Sequence, residues 1–339
     1  MTEIEGVVRD LIENIKRSSG IDTRFVVLDF SARKKGTVVH IEFKASSDFV
    51  ARAVHQFFEK HKSGLGSSVI YTVKLLTRQI DKAKAFAICN VSVAPLRHAP
   101  SHKSEQITQF LIGETADILE VESNNWIRIR LHLDGYVGWV GANQIVPASE
   151  KEYRRWFKEK KVMTLELISG LREEPNWSSA CVREFLAGTY LPCKKKMKNW
   201  LQVGLPDGTE GWMPSSSAID SNGNAKNVSS EEIVSTAKKF LGISYVWGGR
   251  STKGFDCSGL TQTVFRLHGI ELPRDASLQW RCGKDVGKDT SEFVAGDLIF
   301  FSAREHRITH VGIYLGDEES IIHSSGFVRI NGLKPSHAL

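Results

Sequence analysis

The residue best suited to chemistry in this sequence is Cys257, which stands in the run FDCSGL at 255–260. Apolar residues recur after it at helical spacing, so we expect a helix with Cys257 in its first turn and Asp256 as its N-cap. There the unpaired backbone N–H groups and the helix dipole favour thiolate over thiol. Because acyl transfer needs a thiolate nucleophile, we expect Cys257 to attack a carbonyl carbon, with its backbone N–H donating to the oxyanion.

Two histidines follow on predicted strands that are neighbours along the chain. Residues 309–315 alternate cleanly, which places His310 and Gly312 on one face of a strand, and His323 ends the next short apolar run. A cysteine nucleophile needs a base and a group that orients that base. We therefore expect His310 to accept the Cys257 proton and His323 to fix the tautomer of His310.

The same three side chains are also possible zinc ligands, since one cysteine and two histidines can bind this metal. The DCSG context and the lack of a nearby carboxylate to activate a zinc-bound water argue against that interpretation. We expect no metal and no other cofactor.

Composition limits the class of protein. The 339 residues are 41% hydrophobic, which allows two to four small folded domains. The net charge of +6 comes from 45 basic and 39 acidic residues, a mixture that permits an anionic partner without requiring nucleic acid. No run of 18 apolar residues occurs, so we expect no insertion into a membrane.

The cysteines and the N-terminus bear on location. Five scattered cysteines without a CxxC pair are typical of free thiols in a reducing compartment. The first residues lack the basic and apolar regions of a secretory signal. We expect a cytoplasmic protein; a signal trimmed from this sequence would make it extracellular or periplasmic.

Residues 1–82 predict a small α+β domain of unknown role. Apolar spacing indicates a helix at 4–15 and another at 47–61, and strand-like runs occur at 24–30, 37–43 and 69–76. Nothing in this part of the sequence suggests chemistry, so we interpret it as a packing or interaction module.

An internal repeat with a period of about 75 residues follows. Its motif, Trp…Asp-Gly-x-x-Gly-Trp, occurs at 126–139 and again at 200–212. Asp-Gly predicts a tight hairpin turn, and the paired tryptophans can pack a very small β core. We expect two barrels, at 83–149 and 162–220, joined by a basic linker helix at 150–161. The motif resembles that of the bacterial SH3-like domain.

The two copies differ inside the Asp-Gly hairpin. Tyr136 stands in the first copy where the second has Thr209. Because the scaffold does not need this tyrosine, it is a candidate site residue.

Residues 228–339 resemble the NlpC-type cell-wall cysteine peptidase family. The resemblance rests on four motifs in the order Cys, His, His: DCSGL at 256–260, GDLIFF at 296–301, THVGIY at 309–314 and IH at 322–323. It implies a papain-like domain with the cysteine at a helix N-terminus and both histidines on strands. The fold class expected for the chain is therefore multidomain α+β: the small α+β domain, two SH3-like β-barrels and the papain-like peptidase domain.

The resemblance also implies the reaction, which is hydrolysis of the amide between γ-D-glutamyl and a diamino acid, either meso-diaminopimelate or Lys, in peptidoglycan-derived peptides. Cys257 would attack the γ-carbonyl, and His310 would pass the proton to the leaving amine. The Tyr245 hydroxyl would help to hold the oxyanion beside the Cys257 amide.

Two SH3-like units ahead of such a domain are similar to members that trim free L-Ala-γ-D-Glu-diamino acid peptides during wall recycling. In that case Asp256 would bind the free α-amino group and Tyr136 would close that end of the site. Ser258, Trp247 and Ser277 would complete the substrate contacts.

Two other functions remain open from the sequence: an extracellular hydrolase of intact peptidoglycan, with the SH3-like units as wall anchors, and a non-catalytic protein that binds wall fragments. Domains of this family usually continue into a last strand beyond the third catalytic position. This sequence stops at Leu339, sixteen residues after His323. Loss of that strand would weaken folding or the pocket for the diamino acid.

Overall fold

The computed structural model describes residues 3–65, 69–220, 228–304, 307–317 and 319–333. The predicted linker at 221–227 and the C-terminal residues 334–339 lie outside these ranges. Within the described residues, no helix combines the length and the apolar character needed to cross a membrane.

The N-terminal unit is a three-stranded sheet whose core is shared with two helices. Strand β2 lies in the middle, antiparallel to β1 and parallel to β3. Apolar residues of both helices, among them Ile15, Val50 and Val54, are fully buried against Phe43 of β2. The elements are α1 (Glu3–Ser19), β1 (Leu28–Lys35), β2 (Val38–Ala45), α2 (Asp48–Leu65) and β3 (Val69–Leu75).

The predicted first strand at 24–30 was wrong in its first half, because β1 begins only at Leu28. The side chain of Asp22 accepts the Arg24 backbone N–H at 3.0 Å, and its carbonyl accepts the Phe25 N–H at 3.1 Å. These contacts hold residues 22–25 in a turn. The segment then contacts the first barrel instead of the N-terminal sheet: the Val137 N–H donates to the Arg24 carbonyl at 2.7 Å.

Two seven-stranded barrels follow, with the same strand order after renumbering: β10-β4-β7-β8-β9-β5-β6 and β17-β11-β14-β15-β16-β12-β13. Gly135 and Gly208 take positive φ angles of 75° and 86° in the matching Asp-Gly turns, as such turns require. The linker helix α3 packs through Trp156, whose indole N–H donates to the Gly113 carbonyl at 2.9 Å. The elements are β4 (Phe86–Cys89), β5 (Val93–Arg97), β6 (Gln106–Leu111), β7 (Thr115–Val121), β8 (Trp126–Leu131), β9 (Val137–Gly141), β10 (Ile145–Ala148), α3 (Glu150–Lys158), β11 (Lys161–Thr164), β12 (Ile168–Arg172), β13 (Cys181–Leu186), β14 (Tyr190–Met197), β15 (Trp200–Gly204), β16 (Glu210–Pro214) and β17 (Ala218–Asp220).

The C-terminal domain packs helix α5 against an antiparallel sheet in the order β20-β21-β22-β23. Leu260 and Val264 of α5 are fully buried with Ile313 and Ile322 of the sheet. The elements are α4 (Ser230–Lys238), β18 (Arg250–Ser251), β19 (Gly254–Phe255), α5 (Cys257–Leu267), α6 (Ala276–Gln279), β20 (Leu298–Arg304), β21 (Arg307–Tyr314), β22 (Ser320–Ser325) and β23 (Phe327–Gly332). The expected fold class is thus confirmed.

A further strand follows His323 in the structure. Strand β23 follows β22 directly and pairs with it along its whole length, from Phe327 opposite Ser325 to Gly332 opposite Ser320. The sheet therefore continues beyond His323 within the described residues.

A buried ion cluster joins the first barrel to the C-terminal domain. Glu114 of the barrel accepts from Arg250 and, at 2.5 Å, from Arg266. Burial alone would raise the pKa of Glu114, but the two guanidinium groups outweigh it and lower that pKa. Nearby, Gly248 has a φ of 71°, and a Cβ there would lie 2.7 Å from the Gln106 carbonyl oxygen, so the two backbones meet where a side chain would not fit.

We predict that Glu114→Gln lowers the free energy of unfolding by about 3 kcal/mol, because it leaves two buried guanidinium groups without their counter-charge. The matched control is Glu150→Gln, which removes the carboxylate from an exposed pair with Arg154 and is expected to cost less than about 1 kcal/mol. Denaturant unfolding followed by tryptophan fluorescence measures both. Equal unfolding midpoints for the two variants would contradict the conclusion that this buried ion cluster stabilises the contact between the first barrel and the C-terminal domain.

Candidate active site

Cys257 is the first residue of helix α5, as the sequence predicts, and Asp256 is its N-cap. The Asp256 Oδ1 atom accepts the Gly259 backbone N–H at 2.7 Å. A Cβ on Gly259 would lie 2.0 Å from the Gly249 carbonyl oxygen, so glycine is required where this helix turn meets the preceding loop. The DCSG motif therefore combines a nucleophile, its helix cap and the close approach that holds the cap in place.

The expectation that this position stabilises a thiolate was wrong. Burial raises the pKa of the Cys257 thiol, and the neighbouring Asp256 carboxylate raises it further. Backbone hydrogen bonding at Val311 and Ser258 lowers the pKa, but by less. Cys257 is therefore held as a neutral thiol, and its proton has to be removed by a base during the reaction.

His310 on β21 and His323 on β22 lie with ring nitrogens 2.7 Å apart, Nε2 of His310 facing Nδ1 of His323. The other nitrogen of His323, Nε2, lies 3.0 Å from Oδ1 of Asn331. Because this amide oxygen can only accept, His323 donates from Nε2 and accepts at Nδ1. His310 then donates from Nε2, which leaves its Nδ1 free to take a proton. Gly312 makes room for this pair, since a Cβ there would lie 3.2 Å from the His323 Cβ.

Both histidines are neutral in the resting site. Burial lowers the pKa of His310 to about 4, with the neighbouring His323 and the Arg329 guanidinium acting in the same direction. Burial and Arg329 also lower the pKa of His323, and only in part does its hydrogen bond to Asn331 oppose them.

Asn331 is a residue that the sequence analysis missed. It lies on β23, two positions from Arg329, which is the cross-strand partner of His323. In an antiparallel pair these positions share one face of the sheet, so Asn331 reaches His323 diagonally. The sequence analysis assigned no element to residues 327–332, so the cross-strand contact with His323 could not be found.

One cavity of about 1310 Å³ brings the predicted site residues together. His323 lies behind His310 and is fully buried. The predicted residues that line the cavity are Cys257, His310, Tyr245, Trp247, Asp256, Ser258, Ser277 and Tyr136.

The predicted oxyanion and rim residues lie in the same cavity. Burial, together with the neighbouring Asp256 carboxylate, raises the pKa of Tyr245 to about 12, so its hydroxyl remains a hydrogen-bond donor at neutral pH. The Trp247 side chain is 62% exposed, and its indole N–H donates to Glu105 of the first barrel at 2.7 Å. The cavity rim at Trp247 is therefore tied to the first barrel.

Asp256 has a partner that the sequence analysis did not assign, the buried Arg274. Its Nη2 lies 2.5 Å from Oδ2 of Asp256, and its Nη1 lies 3.0 Å from Oδ1. Arg274 also donates from Nη1 to the Ser258 hydroxyl at 3.1 Å, which keeps Ser258 in the cavity wall. The carboxylate that was predicted to meet the substrate is thus already part of a rigid pair.

Tyr136 reaches the cavity from the first barrel and is 5% exposed. Its hydroxyl donates to Oδ2 of Asp275 at 2.5 Å. The turn below it is shared by both barrels: the Tyr136 N–H donates to Asp134 at 3.1 Å, and the Thr209 N–H donates to Asp207 at 2.9 Å. The hairpin is therefore scaffold, and the tyrosine ring is the addition made by the first copy.

The zinc alternative has little geometric support. Nε2 of His310 and Nδ1 of His323 are occupied by their mutual hydrogen bond, and Nε2 of His323 donates to Asn331. Only Nδ1 of His310 therefore keeps a lone pair that could bind a metal. Among the described residues, no group of three or more His, Cys, Asp or Glu side chains is arranged to hold a metal ion.

Comparison with known proteins agrees with this geometry. Residues 242–338 match the model of the NlpC/P60 family, and residues 96–145 match that of the bacterial dipeptidyl-peptidase Sh3 domain. The gamma-D-glutamyl-L-lysine dipeptidyl-peptidase of Bacillus cereus is 30% identical over 228 residues, which are 64% of this chain and 66% of that protein. The protein of the same name from Bacillus subtilis is 31% identical over 218 residues, 62% of this chain and 69% of that protein. The chain thus spans about two thirds of the length of these relatives.

The structural comparison extends further along the chain. A crystal structure of an NlpC/P60 family protein from Bacillus cereus matches with a TM-score of 0.65 and 26% identity, covering 74% of this chain and 95% of that chain. An NlpC/P60 endopeptidase from Photobacterium damselae shares the fold, with a TM-score of 0.55 and 17% identity over 74% of this chain and 67% of that chain. The chain belongs to the NlpC/P60 family of cysteine peptidases.

Proposed function

We propose that this enzyme hydrolyses the amide between γ-D-glutamyl and a diamino acid in free L-Ala-γ-D-Glu-diamino acid peptides. One observation carries the proposal: the nucleophile Cys257 and the base His310 share a cavity with Tyr136 of the first barrel. The carboxylates of Asp256 and Asp275 line the same cavity. The names of the two Bacillus relatives, gamma-D-glutamyl-L-lysine dipeptidyl-peptidase, support the same bond and include lysine as a diamino acid.

The reaction proceeds in two halves. His310 Nδ1 takes the Cys257 proton as the sulfur attacks the γ-carbonyl carbon, and the oxyanion receives hydrogen bonds from the Cys257 N–H and the Tyr245 hydroxyl. The imidazolium then gives its proton to the nitrogen of the leaving diamino acid. A water molecule, deprotonated by His310, then attacks the thioester carbon. The carbon–sulfur bond breaks, the dipeptide leaves as a carboxylic acid, and His310 returns the proton to the Cys257 sulfur.

The charges in this site form only during the reaction. A neutral thiol and a neutral imidazole exchange one proton, so thiolate and imidazolium appear together as an ion pair. His323 and Asn331 preserve the tautomer of His310 that this exchange needs. Their contribution is orientation, since Arg329 disfavours positive charge on the pair.

The amine end of the cavity supports a small substrate. Tyr136 and Asp275 join across the boundary between barrel and peptidase domain, 2.5 Å apart, and so bound the cavity on that side. A carboxylate there suits the α-ammonium of L-Ala. We therefore propose peptides released from the wall as substrates and the cytoplasm as the place of action.

We predict that the enzyme releases L-Ala-D-Glu from L-Ala-γ-D-Glu-L-Lys or its diaminopimelate counterpart, but not from the N-acetylated peptides. Cys257→Ala should lower the rate at least about a thousandfold, because the nucleophile is removed. Cys282→Ala removes an exposed cysteine and should leave the rate unchanged. Mass spectrometry of the digests measures all arms. Equal cleavage of free and acetylated peptides would contradict the proposed substrate class.

The low pKa of His310 predicts an acid-tolerant enzyme. The base has to be neutral, so kcat/KM should stay level as the pH falls and decline only as the pH passes through about 4. The measurement is a pH profile of initial rates, with stability checked at each pH. An acid limb near the ordinary histidine value of about 6.5 would show that the buried pair does not behave as described.

Asn331→Ala should lower kcat at least about tenfold, because His323 loses the acceptor that fixes its tautomer. Asn331→Asp keeps an acceptor and adds a negative charge, which raises the pKa of both histidines. Its acid limb should therefore move to higher pH than that of the wild type. A wild-type kcat in Asn331→Ala, together with an unshifted pH profile in Asn331→Asp, would contradict the role of Asn331 in orienting His323.

A further inference from the structure

The N-terminal unit reaches the cavity that contains Cys257, although the sequence suggested no chemistry in it. Arg24 lies in the turn before β1, and its Nη1 atom is 2.5 Å from Oδ2 of Asp275. The same oxygen accepts the Tyr136 hydroxyl at 2.5 Å. Three separate parts of the fold therefore meet on one carboxylate.

The Arg24 side chain is held in place before any substrate arrives. Its Nε and Nη2 atoms donate to Asp22 at 3.0 and 2.5 Å, so the guanidinium spans two carboxylates. The next residue, Phe25, packs edge-on against the Tyr136 ring, with centroids 5.7 Å apart. A guanidinium fixed at both ends loses little freedom when it orients a third group.

The rest of the interface shows that the unit is docked and not merely tethered. Val27 shares a buried apolar cluster with Leu119 and Val137 of the first barrel. Arg128 of the barrel pairs with Asp29 at 2.6 Å, and Lys44 pairs with Glu120. Apolar burial and ion pairs thus place Arg24 at a fixed position in the cavity wall.

The charges at this end nearly cancel. Three carboxylates, on Asp22, Asp256 and Asp275, face two guanidinium groups, on Arg24 and Arg274. Without Arg24, the Asp275 carboxylate would keep Tyr136 as its donor on Oδ2 and lose the second contact that fixes its rotation.

We propose that the N-terminal unit completes the substrate site, and that Arg24 is the positioning residue which holds Asp275 and Tyr136 to select a free amino terminus. The inference rests on the proposed function. Both donors use Oδ2, which leaves Oδ1 able to accept from an ammonium group without reorganisation. An acylated nitrogen is uncharged, so it cannot form the ion pair with Asp275. Its acyl group would also collide with the cavity wall that Tyr136 and Asp275 form.

The test is calorimetric binding of uncleaved L-Ala-γ-D-Glu-L-Lys and of its N-acetylated form, with Cys257→Ala as the parent protein. The readout is the ratio of the two dissociation constants, acetylated over free. Adding Arg24→Ala should lower this ratio about tenfold, because a charge-assisted contact that orients Asp275 is lost. Adding Arg24→Lys, which keeps the charge and one contact, should restore part of the ratio. Adding Asp29→Asn breaks a docking pair elsewhere in the same interface and should leave it unchanged.

An unchanged ratio in the Arg24→Ala protein would overturn the inference. An equal fall in the Asp29→Asn protein would also overturn it, because general loosening of the unit would then account for the effect. Failure of the proposed function is seen separately, as equal cleavage of both peptides by the wild-type enzyme.

Discussion

The active site depends on the buried ion pair between Asp256 and Arg274. Asp256 caps the helix that presents Cys257, and Arg274 ties that cap to the loop before α6. Arg274 also donates from Nε to Thr108 of the first barrel at 2.9 Å. Removing either partner would leave a buried charge uncompensated beside the nucleophile, so the pair enforces one arrangement of helix, loop and barrel.

The two barrels share a fold and contact the peptidase domain in different ways. The first barrel contributes Tyr136 to the cavity and Glu114 to the buried ion cluster with Arg250 and Arg266. The second contacts the β18–β19 turn from outside, where the Thr252 hydroxyl donates to the Leu167 carbonyl at 2.5 Å. The two copies thus share one scaffold, and Tyr136 in a hairpin and Glu114 near a strand end give the first copy its place in the site.

Local sequence patterns predict the parts of this enzyme that depend on local physics. The helix after Asp256, the alternating strand around His310 and the Asp-Gly hairpins each follow from residues a few positions apart. The pKa of Cys257 and the partner of His323 do not, because they depend on burial and on which strands become neighbours. The Asp22 turn was missed for another reason: the apolar run after it resembles a strand, and only the side-chain contact to Arg24 decides the boundary.

The contact between Arg24 and Asp275 joins residues 251 positions apart in the chain. A ribosome adds about 5–20 residues per second, so the N-terminal unit is made roughly 10–50 s before its partner carboxylate exists. The nascent chain has no nucleophile until residue 257 is added, and no carboxylate at the amine end until residue 275 is added. Cys257 and Asp275 both lie in the C-terminal third of the chain. The nucleophile, and the carboxylate that Arg24 orients, are therefore synthesised long after Arg24 itself.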